Sequence, residues 1–167
     1  MKSKNWIAFT ASLTIGLATI EAQAQALSGY ISVRNGITFR MADSTLDYRL
    51  FGIGGCEVNQ IAHLNGLAWP CGAVATGWLT QLTLGYEIEC LNEGRAEDAY
   101  ATVLVRCFLP SGEDIASLAL KEGMAWVLYH EGEPVVSEYL LTQEQARKER
   151  RGIWSSNFML GNQLYRP

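Results

Sequence analysis

The sequence predicts an α+β domain in which a small barrel-like sheet is combined with three helices. Three observations carry this. Five short runs rich in β-branched and aromatic residues are separated by turn signals. Three segments carry apolar residues at helical spacing and end on glycine. The strands lead and the helices are interspersed after them, with no internal repeat and no low-complexity segment.

The elements follow in chain order. "GYISV" (29–33) and "ITFRM" (37–41) are strands with the turn "RNG" between them. "ADSTLD" is a hairpin connection into a third strand, "DYRLFGI" (47–53). Residues 54–69 lack periodicity and are expected to form a long loop. Pro70 stands at a helix start, Val74, Trp78, Leu79 and Leu82 recur at helical spacing, and Gly85 is a stop. "YEIECL" (86–91) and "YATVLVRCFL" (100–109) supply strands four and five, followed by the turn "PSGED". Asp114 caps a helix through "IASLALKEG" that ends at Gly123. "MAWVLYH" is apolar and either extended or irregular. A last helix starts at Pro134 or Ser137, runs to Arg151 and stops at Gly152, and "IW" follows as a core anchor. Trp69, Trp78, Trp126 and Trp154 mostly fall at core positions, and the tail "NFMLGNQLYRP" is apolar.

The chain has 167 residues, enough for one domain. Residues 1–26 have the layout of a secretory signal peptide: Lys2 and Lys4, an apolar run from Trp6 to Ile20, then small-x-small sites ending at Ala24 and Ala26. The run is shorter than the ~20 apolar residues of a span, so cleavage is favoured over an anchor, leaving no membrane span. Residues 27–154 are then the folded domain and 155–167 a C-terminal tail. Export to the periplasm or outside the cell is the expectation. Loss of Lys2, Lys4 and Glu21 takes the formal charge from −4 to −5. An acidic domain is a poor match for nucleic acid, whose binders carry a basic face. The one dense basic cluster, in "QARKERRGIW", is expected to be the solvated face of the last helix.

Four cysteines in an exported chain indicate two disulfides. Of the three pairings, Cys56–Cys71 and Cys90–Cys107 are favoured. The second joins two runs that can lie side by side, and the first closes a loop of about 15 residues, worth ~3 kcal/mol in the chain-entropy model. Zinc is the weaker reading, because no C-x-x-C pair is present and the histidines lie far from the cysteines.

Four motifs stand in one order: "RLFGIGGCE", "AYATVLVRC", "GEDIASLALKEGMAW" and "EQARKERRGIW". Together they resemble the staphylococcal nuclease family, whose patterns are R-L-x-G-I-D-x-P-E, Y-G-R-x-x-A-x-V, G-x-D-[IV]-x-x-x-L-[IV]-x-x-G-x-A and A-[KR]-x-x-[KR]-x-G-[IL]-W. The last is the most specific, and the resemblance covers about residues 29–154. "WPCG" resembles the exported, disulfide-containing members. The resemblance implies a five-stranded OB-fold barrel with three helices. It also implies an ancestral calcium-dependent hydrolysis of phosphodiester bonds in DNA and RNA. In that chemistry two aspartates hold the cation, a glutamate assists the attacking water, and two arginines stabilise the phosphate charge.

By position, Arg49 matches the first arginine and Glu57 the glutamate. The turn that supplies the first aspartate reads "NGIT", with Ile37 at the carboxylate position. Gly54 stands at the second aspartate and Thr102 at the second arginine. Neither Ile37 nor Gly54 offers calcium an oxygen. The expectation is therefore a pseudonuclease without a bound metal, with Arg49 and Glu57 vestigial and free to pair with each other. Asp43 and Asp47 are the candidate replacement ligands, and both read better as solvated turn residues. Cys56 takes the place of the family proline, so a disulfide there fixes the loop carrying Glu57. His63 and His130 are read as solvated or capping groups; Tyr129 and Tyr139 are placed near the groove by position. The expected role is a monomeric binding or accessory module. Its ligand is a glycan or a protein rather than nucleic acid, and exported members of the family suggest cell-envelope exopolysaccharide. The alternative is an active calcium-dependent extracellular nuclease with an altered metal site.

Overall fold

A computed structural model describes residues 26–97, 101–160 and 163–165. The proposed leader lies outside the described residues except for Ala26. The chain opens with β1 (Ala26–Gly29) and β2 (Ile31–Val33), then β3 (Thr38–Met41), β4 (Asp47–Leu50) and β5 (Ile53–Gly55). A hairpin of β6 (Ala62–Leu64) and β7 (Leu67–Trp69) leads into α1 (Cys71–Thr83). Strands β8 (Ile88–Arg95) and β9 (Val103–Phe108) precede α2 (Ile115–Lys121) and β10 (Ala125–Val127). A small hairpin, β11 (Tyr129–His130) and β12 (Glu133–Pro134), leads to α3 (Tyr139–Lys148). A 3₁₀ turn at Gly152–Ser155 and the hairpin β13 (Phe158–Leu160) and β14 (Gln163–Tyr165) complete it.

The main sheet runs β1-β8-β9-β4-β3-β2. Its two outer members, β1 and β2, are halves of one run interrupted only at Tyr30. One half pairs with β8 and the other with β3, so the same run serves both edges and the sheet curls round on itself. Five continuous runs therefore make the barrel, although the break at Tyr30 gives the sheet six hydrogen-bonded strands. β4 and β9 are parallel and the other pairs antiparallel. Alternation places Phe39, Leu50, Ile88 and Val105 inside, closed by Ile115 and Leu120 of α2. Such closure leaves few backbone groups unpaired at an edge.

Local chemistry accounts for the junctions. Asn35 Oδ1 accepts the N–H groups of Ile37 and Thr38 at 3.0 and 2.8 Å, which shapes the β2–β3 turn. Cys90 and Cys107 face each other across β8 and β9 and are joined, as are Cys56 and Cys71. Both favoured pairings are therefore formed. Asp114 caps α2 through the Ser117 N–H at 3.1 Å, and its second oxygen accepts the Tyr139 hydroxyl at 2.6 Å. Gln143 accepts the Val127 N–H at 2.7 Å, which fastens α3 to β10.

Several sequence expectations are corrected. Residues 54–69 are not one bare loop. Asn65 and Gly66, at φ 51° and 81°, form the turn of the β6–β7 hairpin. "YEIECL" enters the sheet only at Ile88, and β8 runs on to Arg95 because β9 pairs with it that far. "MAWVLYH" takes the extended one of its two expected forms, since β10 pairs with β5. The last helix starts at Tyr139, beyond both positions expected for it. A second core joins Cys56, Ala62, Cys71, Ala146, Ile153, Trp154 and Phe158, so the first part of the tail packs inward. Trp154 is buried, while Trp69, Trp78 and Trp126 are half-buried.

Tyr139 carries a pH-dependent share of stability. Burial foremost, and then its hydrogen bond to Asp114, push the phenol above its ordinary value. The fold holds the neutral form, so the contribution is complete below the ordinary tyrosine range near pH ~10 and is lost as pH rises above it. Tyr139→Phe is expected to cost about 1 kcal/mol at neutral pH and to flatten the alkaline fall in urea midpoint. A mutant with the same alkaline fall as the parent would refute this assignment.

Candidate functional site

The functional positions converge where β4 passes into β5. Tyr48 and Leu50 point into the core and Arg49, between them, points outward. Gly52, at φ 77°, turns the chain into β5. There a cleft of about 540 Å³ opens, lined by Ile37, Arg49, Gly54 and Glu57. Four positions marked from the sequence thus share one site. Thr102 is buried and does not line it. The remaining wall is largely apolar, with Phe51, Leu104, Trp126, Leu128 and Val135, and a second carboxylate comes from Glu97.

Glu57 is held by its loop. Its N–H donates to Gln60 Oε1 at 3.0 Å, and its carbonyl accepts the Gln60 N–H at 2.8 Å. The Cys56–Cys71 bond pins this loop to the first turn of α1. A Cβ on Gly72 would lie 1.9 Å from the Glu57 carbonyl oxygen, so only glycine lets the helix begin against it. The carboxylate itself is exposed. Arg49 has an interaction partner of its own.

The two positions that the resemblance matches to metal ligands, Ile37 and Gly54, are uncharged and closely packed. A Cβ at Gly54 would meet Trp126 Nε1 at 2.5 Å and Cε2 at 2.9 Å, with Leu128 Cδ2 at 3.1 Å. A Cβ at Gly55 would meet Ile37 Cγ2 at 2.9 Å. The indole therefore lies over one bare stretch of β5 and the isoleucine over the next. Calcium takes six to eight oxygen ligands. The carboxylates among the described lining residues are Glu57 and Glu97, and the described residues contain no cluster of three metal-ligating side chains. The donor set of the described residues does not fit calcium.

Other candidates lie elsewhere. Asp47 binds Arg40 at 2.8 Å, and Asp43 is exposed in the β3–β4 turn; neither lines the cleft. His63 is exposed in β6 and bridges to Asn157 through backbone bonds, and His130 is exposed in β11. Tyr129 and Tyr139 do not line the cleft, which corrects their placement; Tyr139 faces Asp114 instead. The basic segment at the end of α3 is offset locally: Arg147 pairs with Glu144, and Arg151 with Glu149 and Glu122. Glu97 and Trp126 were missed in the sequence. The paired glycines of "GIGGCE" were the available signal, because two bare positions in a strand ask what covers them.

A curled OB-type barrel carrying three helices, with an arginine from β4 and a glutamate after β5 facing one cleft, has the scaffold of a nuclease-type domain. The chain belongs to the staphylococcal nuclease homologue family, whose family model matches residues 48–156. That span includes Arg49, Gly54, Glu57 and Thr102. Comparison with curated proteins gives no match.

Placing carboxylates at Ile37 and Gly54 is not expected to build a cation site. Gly54→Asp should lower stability by about 1–3 kcal/mol through overpacking against Trp126. Ile37→Asp with Gly54→Asp should take up no calcium measurable by titration calorimetry while Trp126 remains. Uptake by that double variant with the indole intact would disprove the obstruction.

Proposed function

We propose that this protein is an exported, non-catalytic member of its family whose cleft holds a ligand without cleaving it. The observation that carries this reading is the covering of β5 by Ile37 and Trp126, where catalysis in such a scaffold needs two anionic ligands. The missing second arginine adds to it, since one lost donor of this type costs about 10²–10³ in rate. Two disulfides favour an oxidising compartment. No helix of the described residues is long and apolar enough to cross a membrane.

The ligand class follows from the lining. Arg49 is the only cation among the described lining residues, against Glu57 and Glu97. A polyanion gains little there. An apolar floor with a few polar groups at its rim suits a sugar face or an apolar peptide segment. A neutral cell-envelope polysaccharide is the favoured ligand, and a protein segment comes next. The competing reading, a nuclease with a rebuilt site, rests on Arg49, Glu57 and Glu97 sharing one cleft.

The test uses purified, oxidised protein. With single-stranded DNA and calcium, no cleavage above background is expected. Against a panel of glycans and oligonucleotides at physiological salt, a glycan should bind and quench tryptophan emission, and Trp126→Ala should weaken it about tenfold. DNA cleavage abolished by Glu57→Gln would overturn the proposal, as would binding confined to nucleic acid.

A further inference from the structure

The sequence contains two Asn-Gly steps, Asn35–Gly36 and Asn65–Gly66. Both sit in turns, and the fold treats them differently. Asn35 is half-buried, and its Oδ1 accepts the N–H groups of Ile37 and Thr38. Gly36 is buried, and a Cβ there would lie 2.6 Å from the Ala75 Cβ of α1. Side chain and backbone of this turn are therefore both held. Asn65 and Gly66 are exposed, at the tip of the β6–β7 hairpin. A Cβ on Gly66 would meet no atom within 4 Å. Among the described residues no hydrogen bond engages the Asn65 side chain. Leu64 pairs with Leu67, so the turn has two residues and the Gly66 N–H lies outside the ladder. Each strand is three residues long. A two-stranded hairpin of that size is marginal by itself, so its tip opens locally at little cost.

We propose that Asn65 is a site of spontaneous deamidation, with water as the co-reactant, and that the change loosens the anchor of the C-terminal tail. The Gly66 backbone nitrogen, with no Cβ beside it, attacks Asn65 Cγ. A C–N bond forms. The side-chain amide nitrogen leaves as ammonia, taking the Gly66 proton, and a cyclic imide remains. Water then adds to one of the two imide carbonyls. Opening at Cγ gives aspartate. Opening at the backbone carbonyl gives isoaspartate, in which the chain runs on through the side-chain carbon. No oxidant or reductant takes part.

The position gives this change its reach. From Val58 to Tyr86 the chain holds no Asp, Glu, Lys or Arg, so either product is the first carboxylate in that stretch. Isoaspartate also lengthens the backbone of a two-residue turn, which the Leu64–Leu67 pairing does not accommodate. Two residues back, His63 holds Asn157 through a pair of backbone bonds of 2.8 and 2.9 Å. Asn157 leads into Phe158, which packs on Trp126. The hairpin tip is thus linked to the cleft wall, whichever ligand the cleft takes.

Incubation of the purified, oxidised protein at mildly alkaline pH, followed by tryptic mapping, tests the proposal. Trypsin places Asn35 in the peptide 35–40 and Asn65 in the peptide 50–95. Tandem mass spectrometry is expected to find the acid at Asn65 accumulating about tenfold faster than at Asn35, which must first give up two hydrogen bonds. In guanidinium chloride with the disulfides reduced, the two rates should converge. The isoaspartate fraction, isolated by anion exchange and identified by isoaspartyl methyltransferase labelling, should exchange the His63 and Asn157 amide protons faster than the parent. An Asn65 amide that persists as long as that of Asn35 in the folded protein would overturn the proposal. So would a rate gap that survives unfolding, or an isoaspartate fraction whose His63 and Asn157 amides exchange as in the parent.

Discussion

β5 carries two side-chain-free residues in succession, and the space above them is contested. Trp126 takes the volume beside Gly54 and Ile37 the volume beside Gly55. Since β5 pairs with β10, Trp126 stands directly across from Gly54 in the ladder. Glycine normally weakens a strand. Here it lets a large indole lie against the backbone and wall the cleft, and the burial of that apolar surface offsets the entropy cost of glycine. The cleft's apolar wall follows in part from this packing.

The indole is itself held from behind. Trp126 packs on Phe158 with ring centroids 5.8 Å apart, and Phe158 meets Trp154 edge-on at 5.5 Å. The Arg147 guanidinium lies over the Trp154 ring at 5.2 Å. A line of aromatic contacts thus runs from the cleft wall through β13 to the outer side of α3. The Cys56–Cys71 bond enters the same small core and fixes the loop bearing Glu57. Wall and loop therefore share one support, so displacing the tail would disturb both faces of the cleft.

The fold was largely legible because its signals are local. Alternation in "TVLVRC", the Asp114 cap and the glycine stops at Gly85, Gly123 and Gly152 each dictate an element without tertiary help. The β6–β7 hairpin was not legible, since "IAHLNGLAW" has only three-residue strands around Asn65–Gly66 and gains its order from the disulfide and from the His63–Asn157 bridge. That Ile37 and Gly54 belong to one cleft was readable from motif spacing. What filled them was not, because Trp126 lies far along the chain and reaches the cleft only through the β5–β10 pairing.

Losing a charged site and filling it differ in their energetics. Two aspartates without their cation would be like charges close together, each raising the other's pKa and costing stability. Neutral residues at such positions carry no such repulsion, and Ile37 and Trp126 packed beside β5 add dispersion and apolar burial. The first change alone would leave a hydrated depression that a carboxylate substitution could restore. An aspartate side chain introduced at Gly54 would have to displace an indole already seated against Phe158. Arg49 and Glu57 line a cleft whose largely apolar wall favours contact with apolar surface over charge stabilisation.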